Sequence, residues 1–81
     1  MSRIVERPIQ SIQTNDRGEP VAWLDRGVTH RVVEILDAWR EAGNWWEDEP
    51  NRAMYRVLTS ENYVYDLEES EGKWKVYKVW D

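Results

Sequence analysis

The chain has no cysteine and no phenylalanine, a single histidine at His30, and no apolar run approaching membrane-spanning length. Without cysteine, disulfides and thiolate metal sites are excluded as supports for a small fold, and a reducing, cytoplasmic setting is expected. The N-terminus, Met1 to Pro8, lacks the apolar core of a signal peptide. Glycine-rich phosphate loops and metal-ligand spacings are missing as well. A lone histidine among apolar neighbours reads as a packed residue rather than a catalyst or ligand, so no catalytic residue, metal or cofactor is expected, and a non-enzymatic role follows. Hydrolysis by a carboxylate pair would need a deep pocket with a strongly raised carboxyl pKa, and abundance of acids alone does not specify one.

What is present instead is tryptophan, six times in 81 residues. A chain this short buries only about 60% of the surface its unfolded form exposes, so large indoles must supply much of its core. Trp39, Trp45 and Trp46 crowd one stretch and Trp74 and Trp80 lie near the C-terminus. Six indoles exceed what one small interior needs, which predicts that at least one faces solvent or a partner. If Trp45 and Trp46 lie on a strand, their side chains take opposite faces. Exposed Trp and Tyr beside Arg40, Arg52 and Arg56 would suit a protein hot spot or stacking on single-stranded bases, with a carbohydrate platform more distant.

The formal charge of −5 opposes phosphate backbones on average. Acids concentrate at Glu47–Glu49 and at Asp66, Glu68, Glu69 and Glu71, and Lys73, Lys75 and Lys78 follow. That lysine stripe reads either as a guard on a strand edge or as the contact set of a single-stranded nucleic-acid-binding module.

Punctuation by turn residues predicts an all-β domain, a small antiparallel meander of about six strands curled into an SH3-like barrel or a strongly twisted sheet. Residues 1–20 read as an N-terminal arm with an edge strand, and 21–81 as a single β domain. Turns are placed at Arg26-Gly27, Ser60 to Asn62 and Ser70 to Gly72. Tyr55 and Val57 fall on one face of their strand and Met54, Arg56 and Leu58 on the other. Simple alternation puts Trp74 and Trp80 on the same face. Val32, Ile35, Leu36 and Trp39 sit at helical spacing with Gly43 as a C-cap, so an α+β alternative has a helix at 31–42. The β-branched residues there and the need of the Val21 strand for a partner favour a strand to about Leu36, a bend, and another strand through Trp46.

The residues Trp39-Arg40, Gly43-Asn44-Trp45-Trp46, Arg52, Tyr55-Arg56-Val57, Tyr65, Gly72-Lys73-Trp74 and Trp80-Asp81 resemble a family of small bacterial domains of unknown function. From about Val21 to Asp81 the chain is also similar to the C-terminal segment of catalytically inactive Y-family DNA polymerase homologues of the ImuB type. Those proteins are adaptors in mutagenic, damage-tolerant DNA synthesis, linking an error-prone replicative-type polymerase to the sliding clamp. Met54 stands where that tail has the first of two adjacent tyrosines, and the polymerase-like body and clamp-binding motif are lacking. The resemblance implies a partner-binding role for Trp45, Trp46, Arg52, Tyr55 and Arg56, with replication or repair machinery as partner, and carries over no catalytic residue. A monomer or weak homodimer is expected.

Overall fold

The computed structural model describes residues 2–80, apart from the side chain of Trp45. Seven strands, β1 (Ser2–Pro8), β2 (Ser11–Thr14), β3 (Pro20–Asp25), β4 (Val28–Glu41), β5 (Arg52–Thr59), β6 (Val64–Ser70) and β7 (Lys73–Trp80), form the molecule with one 3-10 turn at Trp45–Glu47. They are antiparallel in the order β1-β7-β6-β5-β4-β3-β2. The fold is thus all-β, as the spacing of turn signals predicts. Within residues 1–20, which the sequence reads as an arm, Ser2–Pro8 and Ser11–Thr14 lie in the sheet as β1 and β2. Among the described residues no helix is long and apolar enough to cross a membrane.

The two ends of this order are consecutive in the chain. Ile9 N–H donates to the Trp74 carbonyl at 3.2 Å and Gln10 N–H to the Leu24 carbonyl at 3.0 Å, so two residues step from β7 to β3 and curl the sheet into a half-barrel. Arg7 fastens the same junction, its guanidinium reaching the buried Asp25 carboxylate at 2.7 Å. Two-residue hairpins set the register: Arg26 and Gly27 (φ 54° and 77°) join β3 to β4, and Glu71 and Gly72 (φ 53° and 78°) join β6 to β7. Both residues left-handed is the turn whose twist matches a right-twisted hairpin.

Inside the curl sit Trp23, Val57, Tyr65, Leu67, Val76 and Val79, with Val32, Ile35, Tyr55 and Trp74 packed on them. Trp23 is 1% exposed, its ring stacked on His30 at 5.0 Å and edge-on to Tyr65 at 5.3 Å. The lone histidine is therefore part of the aromatic core, its Nδ1 2.9 Å from Glu61.

Two expectations fail here, and the α+β alternative falls with them: no helix forms at 31–42, because those residues continue β4 against β5 as the favoured strand reading expects. β4 breaks register between Val32 and Glu34 and again between Ile35 and Asp37, and each bulge adds one residue. Inward positions therefore recur every three residues instead of two, which imitates a helical period. The strand expected through Trp46 ends at Glu41, and Trp45–Glu47 is a 3-10 turn, so strand alternation does not place those two side chains. Trp74 and Trp80 do not share a face. A register break between Asp66 and Leu67 opposite Tyr77 leaves Trp74 with the core and turns Trp80 to the outer surface beside Arg56.

Candidate functional site

The segment from Ala42 to Asn51 is a built loop. The Asn44 carbonyl accepts N–H groups of Glu47 at 2.9 Å and Glu49 at 3.2 Å. Asn44 Nδ2 donates to Glu49 Oε1 at 3.1 Å, and Gly43 N–H to Asn51 Oδ1 at 3.2 Å. Asparagine is a residue that satisfies a turn's open amides from its own short side chain and backbone. Gly43 lies against the carbonyl oxygens of Glu49 and Pro50, with no room for a side chain, and Asp48 adopts φ 57°. On this frame Trp46 is 66% exposed, the most exposed large apolar side chain among the described residues. Glu47, Asp48 and Glu49 are exposed beside it. The Trp45 side chain lies outside the described residues.

The other sequence-predicted binding residues divide between two faces. Arg40 and Tyr55 belong to the inward side of their strands, because Arg40 pairs with Ala53 and Ala38 with Tyr55. Arg40 is exposed, whereas Tyr55 stacks on Trp74 with ring centres 5.6 Å apart. Arg52 and Arg56 occupy the outer side. Arg56 holds the buried Asp66 carboxylate with Nε and Nη2 at 2.9 and 3.2 Å, and its guanidinium lies 5.2 Å from the Trp39 ring centre and 4.7 Å from that of Trp80. The hydrogen bond to Asp66 raises its pKa above the ordinary value; burial works against this, and the charges of Asp66 and Asp37 add to it. Such a layer of indole, guanidinium and indole is a packing device as much as a charge pair.

Arg52 belongs to a ladder that crosses five strands. Glu41 of β4 lies 2.7 Å from Arg52 of β5, which lies 3.1 Å from Glu68 of β6; Lys75 of β7 is 3.3 Å from Glu68 and 3.8 Å from Glu6 of β1. Glu68 is buried between the two cations. The sequence reading missed this ladder, since only register shows that these five residues face one another.

The β7 bulge keeps Lys73, Lys75 and Lys78 on the outer face. They do not form a free stripe, because Lys75 is engaged by Glu68 and Glu6 and the Lys78 ammonium lies 4.4 Å above the Trp80 ring. An open groove of about 310 Å³ passes Pro8, Glu68, Ser70, Lys73 and Lys75. Among the described residues no group of three or more histidines, cysteines and acids is placed to hold a metal.

No curated protein and no solved structure matches the chain. A family model described as a domain of unknown function, DUF6504, matches residues 1–81, the full length given, and the chain belongs to that family.

Proposed function

We propose that this chain is a non-enzymatic interaction module that docks a protein partner in the bacterial cytoplasm, as an adaptor in DNA damage tolerance and mutagenic DNA synthesis. The observation that carries the reading is Trp46, two-thirds exposed on a loop that its own hydrogen bonds hold in one shape. A rigid, presented indole loses little entropy on binding and is a typical hot-spot residue. The similarity of the aromatic and arginine pattern to the tail of ImuB-type adaptors supports the setting. Arg40, exposed on the strand that leads into the loop, would contribute at the rim.

The test immobilises the chain and measures binding of a replicative-type error-prone polymerase, the sliding clamp and associated repair proteins. Trp46→Ala is expected to weaken capture at least about thirtyfold, the loss that a hot-spot side chain of roughly 2 kcal/mol gives. Absence of binding to every such protein, or an unchanged affinity in the variant, overturns the reading. Salt-sensitive binding of labelled single-stranded DNA would point to the nucleic-acid module instead.

A further inference from the structure

We infer that the outer edge of β4 from Val33 to Glu41 receives an extended, basic segment of a partner protein as an added strand. This deepens the reading of the chain as a protein-binding module and rests on it.

The edge is open for a reason visible in the chain. The β3–β4 pairing ends at Ala22 opposite Arg31, and the next residues of β3 back toward its start are Val21 and Pro20. Proline has no N–H to continue a ladder, and before it the chain turns away through Asn15 to Glu19. Beyond Arg31, β4 is paired only with β5, so among the described residues no strand covers its other side. Val33, Glu34, Leu36, Asp37, Ala38 and Arg40 are all exposed.

Three observations describe the occupant. First, the Ala38 N–H donates to the Asp37 carboxylate at 2.9 Å, so an amide of this strand is served by a flexible side chain that a neighbouring backbone could displace. Second, the two bulges turn out Val33 and Leu36, which are 59% and 44% exposed. Bulges and charges usually blunt an open edge, yet here the bulges also present two apolar side chains on which an added strand of opposite charge can anchor. Third, Glu34 and Asp37 on the edge and Glu47, Asp48 and Glu49 in the loop at its end are exposed against one exposed cation, Arg40. This charge repels a second copy of the same edge and attracts lysine or arginine. The fitting ligand is therefore a strand alternating cationic and apolar side chains, held by main-chain hydrogen bonds along Asp37–Glu41 and anchored at Leu36.

The experiment uses the full 15N-labelled chain and a short synthetic peptide of alternating lysine and valine, alongside the same peptide with its valine amides methylated. N-methylation removes hydrogen-bond donors and leaves the charge intact. The unmodified peptide is expected to shift amide resonances of Val33 to Glu41 and to bind at least about tenfold more tightly than the methylated one. Leu36→Lys, a surface change, is expected to weaken the unmodified peptide by a similar factor. Equal binding of the two peptides, shifts confined to another surface, or light scattering that shows β4-mediated dimers with no peptide present overturns the inference. Trp46→Ala separates the two proposals, because it is expected to weaken capture about thirtyfold in the functional test and to leave the β4 peptide shifts in place. Loss of the peptide shifts with partner capture retained rejects only the edge.

Discussion

Tyr65 places a titratable hydroxyl in the core, 9% exposed, beside Trp23 and 5.4 Å from His30. Burial is the main cause that raises its pKa above the usual 10.0; Glu61, Tyr63 and Asp25 add to the rise and Arg7 opposes it. The unfolded chain therefore releases this proton first. Below pH about 10 the neutral phenol is present in both states and the stabilisation is complete; above it the unfolded state binds fewer protons and stability falls until the folded hydroxyl also ionises. Tyr65→Phe is expected to flatten this alkaline decline, read as denaturant midpoints for both proteins between about pH 9 and pH 11. Parallel profiles would show that Tyr65 contributes nothing to it.

At the scale of elements, the loop from β4 to β5 turns on one residue. A methyl at Gly43 would meet the backbone oxygens of Glu49 and Pro50, which the Asn44 and Asn51 bonds hold in place. Gly43→Ala is expected to destabilise by about 1–3 kcal/mol, as overpacking against backbone does, and to quench differently at Trp46, both measurable by tryptophan fluorescence through a denaturant titration. Unchanged stability would mean that the loop is softer than its bonds imply. The sequence marks Gly43 as special but suggests the wrong use, a helix cap in place of a close approach. The same kind of limit explains β4 and β7. Strand identity was readable from β-branched residues and turn pairs such as Arg26-Gly27, and so was the face of Tyr55 and Val57 in β5, which runs without a bulge. Bulges depend on the partner strand, so the faces of Trp74 and Trp80 and the false helical period of Val32, Ile35, Leu36 and Trp39 could not be read from one chain segment alone. Likewise an excess of indoles was legible, whereas the ion-pair ladder around Glu68 was not, because it is a property of register.

For the whole molecule the weak point is the seam where the curled sheet returns on itself. The radius of gyration, 12.4 Å, slightly exceeds the roughly 11.7 Å expected of a compact chain this long, in keeping with an open half-barrel. Among the described residues the polar ties from the β7 side to the β3 side at this point are the Ile9–Gln10 step, the Gly27 N–H donating to Gln10 Oε1 at 3.3 Å, and the Arg7–Asp25 pair. Asp25 is 4% exposed and Arg7 holds it by Nε at 2.8 and 3.1 Å in addition to Nη2. Arg7→Met would leave a buried carboxylate without its cation, which costs more than the pair contributes. Because the Arg7 side chain is itself 27% exposed, water recovers part of the loss, and about 2 kcal/mol is expected. For a domain of this size that lowers Tm by roughly 8–16 °C. Adding Asp25→Asn should restore much of the loss, since the double variant buries no lone charge. If calorimetry finds the two changes additive, the seam is held by apolar contact and not by the ion pair.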